Sequence, residues 1–280
     1  MHGVWRCGSH ALPLARALVM GIVNVTPDSF SDGGANYDPC IAAASAESML
    51  AAGADIIDVG GESTRPGAGE ITPSEELARV LAVVRDAVAL GAVVSIDTRH
   101  AEVASACVAA GSAIINDVSG FSDPAMVALA ASCEAGLVVM HMQGDPRIMQ
   151  DEPRYGDVVA DVAAYLSAQA MRLEAAGVAH ERIAVDPGIG FGKTTAHNLE
   201  LLRRLPEIVA LGYPVLVGAS RKRFIGEITG VSEPRQRLAG SLAATLESVG
   251  RGAAVARVHD VAETVQALAV ARAIREGAGE

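Results

Sequence analysis

Eight short apolar runs recur along the 280-residue chain, and each leads to a polar residue. Residues 18–23 lead to Asn24, 56–57 to Asp58, and 93–96 to Asp97. Further on, 113–115 lead to Asn116 and Asp117, 137–140 to His141, 183–185 to Asp186, and 215–219 to Ser220. The last run, 253–258, contains Arg257 and is followed by His259. Continuous Val/Ile/Leu runs of this length mark parallel strands buried on both faces. Polar groups at their carboxyl ends lie where α/β folds build their sites. The pattern therefore predicts one pocket fed by eight strands.

The segments between the runs read as helices. A glycine stands before seven of the runs (Gly53, Gly91, Gly111, Gly136, Gly177, Gly212 and Gly252), where a left-handed residue would close a helix. Thr72-Pro73-Ser74-Glu75 supplies an N-cap, a proline at the first helical position and a glutamate three residues on, a capping box. Asp123-Pro124 opens another helix over 125–135, and 155–176, 234–249 and 260–275 read as further helices. Strand–helix alternation implies parallel strands with right-handed crossovers. Eight units leave about 35 residues each, which suits an α/β (β/α)8 TIM barrel. The competing doubly wound open sheet needs only five or six strands and usually carries a phosphate loop after the first, which is lacking here. Segments 26–39 and 60–71, after the first and second strands, are rich in Gly, Pro and Asp and read as long mobile loops that close over a ligand. Segment 144–154 is a third such loop.

Composition narrows the picture. With 50% hydrophobic residues the chain can bury a full core, read as a single domain over 1–280 with the barrel at 15–275. A net charge of -11 argues against a basic nucleic-acid-binding face. Cys7, Cys40, Cys107 and Cys133 are scattered without metal-ligand spacing, so reduced thiols are expected. The apolar stretch 11–25 is broken by Arg16 and runs directly into Asn24, unlike a signal peptide. No run reaches the roughly 20 residues of a membrane span. A cytoplasmic protein is expected, without membrane or nucleic-acid partners.

The candidate chemistry is polar but has no evident nucleophile. Residues 186–194 imitate a phosphate-binding P-loop, but its first glycine would fall at Pro187. A nucleophile elbow and an HExxH helix are both missing. Asp97, Asn116 and Asp186 offer carboxylate and amide groups suited to the amino-amidine edge of a heterocycle, since a carboxylate accepts two parallel N–H bonds. Ser220-Arg221-Lys222-Arg223 and Arg257-Val258-His259 place up to five cationic groups after the last two strands, the usual phosphate corner of a barrel. Simpler roles compete at several positions. Asp58 and Asp117 suit helix capping, and His141 suits a rim position bonded to backbone. Lys193 is expected in solvent or near a helix start. Met140 and Phe191 fit equally as core or as walls of a ring pocket. Adjacent residues point to opposite faces, so Asn116 rather than Asp117 is expected in the mouth.

The segments 20–34 (MGIVNVTPDSFSDGG) and 58–67 (DVGGESTRPG) resemble two signatures of the dihydropteroate synthase family. Ser95-Ile96-Asp97-Thr98, Ile115-Asn116-Asp117-Val118, 186–191, 219–223 and Arg257-Val258-His259-Asp260 match later strand-end motifs of that family in order. The resemblance implies a barrel that joins 4-aminobenzoate to 6-hydroxymethyl-7,8-dihydropterin diphosphate, giving 7,8-dihydropteroate and diphosphate for folate synthesis. It also implies Mg2+, met by Asn24, and a homodimer through late helices. By the same motifs Asp97, Asn116, Asp186 and Lys222 would hold the pterin ring. Thr64, Arg65, Arg257 and His259 would serve the diphosphate and the closing loops. Phe30, Arg65, Pro66 and Ser220 would border the 4-aminobenzoate slot, where sulfonamides compete in the family. Asp32, on the first long loop, is our candidate for stabilising a pterinylmethyl cation, with Lys222, Arg257 and His259 as its catalytic companions. Two rivals are a corrinoid-linked methyltetrahydrofolate methyltransferase, which should lack both the Ser-Arg-Lys run and the first loop, and a silent pterin-binding paralogue.

Overall fold

A computed structural model describes residues 3–26, 39–63, 69–144 and 153–277. The chain begins with a short antiparallel hairpin, β1 (Val4–Cys7) and β2 (His10–Pro13). Eight parallel strands follow: β3 (Leu18–Asn24), β4 (Ile56–Gly60), β5 (Val93–Asp97), β6 (Ile114–Asp117), β7 (Gly136–Met140), β8 (Ile183–Asp186), β9 (Leu216–Val217) and β10 (Val255–Val258). Between and after them lie α1 (Pro39–Ala51), α2 (Pro73–Ala89), α3 (Ala101–Ala109), α4 (Pro124–Ser132), α5 (Val158–Ala175), α6 (Thr195–Arg203), α7 (Leu205–Val209), α8 (Arg223–Thr229), α9 (Leu238–Gly250) and α10 (Val261–Glu276). The strand order is β8-β7-β6-β5-β4-β3-β10-β9, and a parallel bridge between Val185 and Val215 joins the two ends. The expected eight-stranded α/β barrel is therefore present.

The apolar runs divide between two cores. Alternate residues of a strand face opposite sides. Ile57, Val59, Val94, Ile96, Ile115, Val139 and Val185 point outward and pack under the helices. Met20, Ile56, Ile114, Val138, Ala184, Leu216 and Val255 point inward and fill the lower barrel. That inner core is sealed from below by the hairpin. Trp5 is fully buried, joins the inner cluster and donates its indole N–H to the Arg182 carbonyl at 3.0 Å. The apolar runs contain no sign of this floor, because β1 alternates exposed and buried positions.

Helix signals are largely realised. Thr72 and Glu75 form the capping box of α2, and the Asp123 carboxylate caps α4. Residues 234–237 form a 3-10 turn before α9 rather than part of it. Six of the seven glycines have positive φ after a helix. Gly136 departs from the pattern. It opens β7, where a Cβ would fall 2.5 Å from the Cys7 sulfur, so the hairpin's close approach requires glycine there. Cys7, Cys107 and Cys133 carry no disulfide. No helix among the described residues is long and apolar enough to cross a membrane.

Candidate active site

The upper ends of the strands are polar because the inward row changes character one step above the apolar floor. Asn24, Gly60, Asp97 and Asn116 stand in register across β3 to β6, and Met140 pairs with Asp186 across β7 and β8. One inward position lower on β4 lies Asp58, in register with Ser95 of β5. These side chains face the guanidinium of Arg257 on β10, whose Nε donates to Asp58 Oδ2 at 2.6 Å and whose Nη2 donates to Asp97 Oδ2 at 2.5 Å. Asn116 Nδ2 also donates to Asp58 Oδ2, at 3.3 Å. The result is a chain from Asp97 through Arg257, both partly buried, to the buried Asp58 and Asn116.

Asp58 is thus part of the site rather than a helix cap. It is fully buried, and its Oδ1 and the Ser95 hydroxyl are both sealed without a hydrogen-bond partner among the described residues. β4 continues two residues beyond Asp58, which sets it one inward row below the mouth. Asp117, by contrast, faces away and accepts from the amides of Ser119 and Phe121, holding the turn after β6.

Asp186 ends β8. Its Oδ1 accepts the Gly188 amide at 2.7 Å, while Oδ2 has no partner among the described residues and is not sealed from solvent. Burial raises the pKa of this carboxyl, and the Gly188 amide, Lys222 and Arg257 pull it back. Lys222 lies across the pocket with its ammonium 4.1 Å from the centre of the Phe191 ring, a cation–π contact. Its field partners are Arg257, Asp186 and Asp97, so the four groups share one pocket; burial, then Arg257, lowers Lys222 to about 8. Burial pushes Asp97 up to about 7 against the pull of Arg257. For Arg257, burial opposes the charge, but Asp58 and Asp97 outweigh it and raise its pKa.

Ser220 and His259 meet at the adjoining strand ends. The His259 amide and Nδ1 lie 3.3 and 3.1 Å from Ser220 Oγ. Burial, then the charges of Arg221 and Arg257, hold His259 at about 3, so it is neutral at physiological pH. Two of the expected phosphate-corner cations do other work. Arg221 forms a fork with Asp260, and Arg223 is exposed and pairs with Glu227. Lys222, Arg257 and His259 remain at the mouth. Nη1 of Arg257 makes no hydrogen bond to a described residue and is available to a ligand.

Lys193 is not in solvent. It is 3% exposed, lies against His141 and touches the backbone of the 188–191 turn. His141 is buried, and its Nδ1 lies against this lysine. Phe191 serves as a wall under Lys222.

Phe30, Asp32, Thr64, Arg65 and Pro66 lie outside the described residues. The stem of the second long loop is well anchored. Arg99 makes a two-point pair with Glu62 at 2.8 Å for each contact, and Arg79 donates to the Gly61 carbonyl at 3.0 Å.

Comparison with known proteins agrees with this geometry. A family model described as pterin binding enzyme matches residues 20–259. The dihydropteroate synthase of Neisseria meningitidis serogroup C is 49% identical over 269 residues, covering 95% of each chain. The crystal structure of Xanthomonas albilineans dihydropteroate synthase with 4-aminobenzoic acid superposes with a TM-score of 0.93 at 47% identity, covering 98% of this chain and 99% of that one. The Thermus thermophilus enzyme in complex with 6HMPPP gives 0.85 at 46% identity, covering 97% and 99%. The chain belongs to the dihydropteroate synthase family of pterin-binding enzymes.

Proposed function

We propose that the pocket joins 6-hydroxymethyl-7,8-dihydropterin diphosphate to 4-aminobenzoate, releasing diphosphate and forming 7,8-dihydropteroate. The observation that carries this reading is the open Asp186 oxygen at a buried strand end, with the Lys222 charge acting on it. A carboxylate so placed accepts the amino-amidine edge of a pterin, and Asn116 and Lys222 supply further polar contacts to the ring. Relatives solved with 4-aminobenzoic acid and with 6HMPPP support both substrates.

The reaction breaks the methylene C–O bond, whose electron pair leaves with diphosphate. The arylamine nitrogen then forms the C–N bond, and its surplus proton departs to the diphosphate or to water. Arg257 Nη1 and His259, at the end of β10, face the leaving group. Lys222 adds positive charge between ring and leaving group, and Ser220 borders the arylamine. Thr64, Arg65, Phe30 and Pro66 complete the two substrate slots from the long loops. The nucleophile is neutral and weak, so the site supplies proximity and exclusion of water rather than a strong base.

Asn24 suits Mg2+ as a hard oxygen donor. Its Oδ1 and Asp97 Oδ2 flank the hollow left by Gly60, where a Cβ would lie 3.7 Å from each. Among the described residues no three His, Cys, Asp or Glu converge, so diphosphate and water would supply most of the remaining donors. When bound, Mg2+ neutralises charge on the departing diphosphate.

A homodimer through the late helices is supported by exposed apolar residues there: Ile228 on α8, and Val270 and Ile274 on α10. The enzyme would act in the cytoplasm with small-molecule substrates alone.

The test is diphosphate release by the purified chain with Mg2+. Release should require both the pterin diphosphate and 4-aminobenzoate; release that ignores the arylamine, or none at all, removes the reading. The methyltransferase alternative predicts no release, and so does a silent paralogue. Two further results are expected. Asp32→Ala should lower turnover at least about tenfold while pterin diphosphate affinity by calorimetry stays within about twofold, because Asp32 acts on the cation rather than the ground state. In wild type, kcat/KM for the pterin diphosphate should fall as pH rises through about 8, where Lys222 loses its proton.

A further inference from the structure

Lys193 belongs to the imitation P-loop, and the functional reading above leaves it without a role. Its Nζ lies 2.9 Å from the Phe191 carbonyl, 3.0 Å from that of Gly188 and 3.3 Å from that of His141. A fourth acceptor, His141 Nδ1, lies at 2.9 Å. Burial lowers Lys193 to about 7 against the pull of Asp186. In its charged form the lysine has three N–H groups and no lone pair, so Nδ1 accepts and the imidazole carries its proton on Nε2. Burial, then the Lys193 charge, keeps His141 neutral by holding it at about 3.

The lysine sits where two backbone segments are pressed together. A Cβ on Gly188 would collide with the His141 carbonyl oxygen, and one on Gly192 would fall 2.6 Å from that of Gln143. Gly188 and Gly192 both have positive φ, +67° and +59°. Tyr155 adds a second tie by donating to the Gly192 carbonyl at 2.7 Å. Buried carbonyls converging in this way are costly unless a donor joins them. Lys193 is that donor, and it is too enclosed to touch substrate. The start of α6 does not depend on it, because Thr194 and His197 form that helix's capping box.

We propose that Lys193 is a positioning residue for the pterin end of the site, binding the 186–193 turn to the end of β7 so that Asp186 and Phe191 are held in place. This rests on the assignment of the pterin to Asp186 and Lys222. Two short paths connect the lysine to those groups. Through Gly188 it fixes the peptide whose amide occupies Asp186 Oδ1, which leaves Oδ2 for the ligand. Through Phe191 it fixes the residue whose ring supports the Lys222 ammonium. No comparable path among the described residues leads to Ser220 on the 4-aminobenzoate side.

The experiment is steady-state kinetics of Lys193→Met, which keeps the length of the side chain and removes its charge and donors. KM for the pterin diphosphate should rise about tenfold, kcat should fall less than about threefold, and KM for 4-aminobenzoate should stay within about twofold. A general loss of packing would move both KM values together. His141→Leu, which removes one acceptor and leaves the ammonium, is the milder companion and decides the matter should Lys193→Met fail to fold. It should raise the pterin KM about threefold, with His141→Asn, whose carboxamide oxygen replaces Nδ1, restoring it. Pterin KM values within about twofold of wild type, or an equal rise in both KM values, overturn the proposal. Asp186→Asn is measured alongside. If it binds pterin like wild type, the assignment of the pterin end falls and takes this proposal with it. If it loses pterin while the Lys193 and His141 variants keep it, only the role of Lys193 is refuted.

Discussion

Arg257→Met should lose about 3–5 kcal/mol of stability, the usual cost of leaving buried charges without their partner. Arg257 is the only cation hydrogen-bonded to Asp58 and Asp97 among the described residues, and both lie in the barrel interior. Without it two carboxylates face each other across β4 and β5 in a low-dielectric pocket. The loss should depend on pH, with a sign that follows from Asp97. Burial already raises that carboxyl to about 7, above its unfolded value, and removing the guanidinium raises it further. A carboxyl with a raised folded pKa takes up a proton more readily in the folded state. Stability is therefore lost as pH rises, and the variant should suffer more at about pH 8 than at about pH 5.5. Urea unfolding at the two pH values reads this directly. Equal stability to wild type at the higher pH would show that the two carboxylates do not depend on Arg257. Turnover should fall by at least about a thousandfold, since the same side chain supplies Nη1 to the leaving group. Arg257→Lys should recover part of the stability and little of the turnover, because a lysine cannot span two carboxylates with a planar fork.

Asp186→Asn should lose pterin affinity by about a hundredfold or more while folding normally. Asparagine keeps an oxygen for the Gly188 amide, so the turn after β8 retains its hydrogen bond. The open position then carries either an amide N–H, which faces the N–H donors of the pterin edge, or a neutral oxygen in place of a charged one. The charge-assisted hydrogen bond at the open oxygen is lost or reversed, at a cost of roughly 1.5–3 kcal/mol, with the loss of the carboxylate charge added to it. Relief of a buried charge should leave the melting temperature unchanged or higher. Calorimetry with a pterin diphosphate analogue is the measurement, and micromolar binding retained by the variant would remove Asp186 from the ring-binding role.

The sequence showed the barrel well because each strand feeds two apolar cores at once, so its run is unbroken and easy to see. It showed β9 only as a run, although just Leu216 and Val217 pair as strand there. The hairpin floor was invisible for the opposite reason: half of β1 faces water, and its importance lies in what Trp5 reaches at Arg182. At the site, strand-end residues such as Asp97 and Asp186 were legible from position alone. Asp58 was not, since its role depends on β4 running two residues further and on Arg257, 199 positions away. Arg221 and Arg223 were overcounted as phosphate ligands, because charge in a motif does not reveal the Asp260 and Glu227 that occupy it. Lys193 was misplaced because a lysine in a glycine-rich segment reads as solvent-facing. Only the folded backbone reveals the carbonyls gathered around it.

The hairpin floor also sets an order of events. Trp5 is made well before its indole partner at Arg182, which emerges 177 residues later, and before Leu216 and Val255 of the same inner cluster, which emerge later still. The native burial site of this tryptophan is therefore complete only once the final strands have been made. Because it is the chain's only tryptophan, its emission is a built-in clock for that last step.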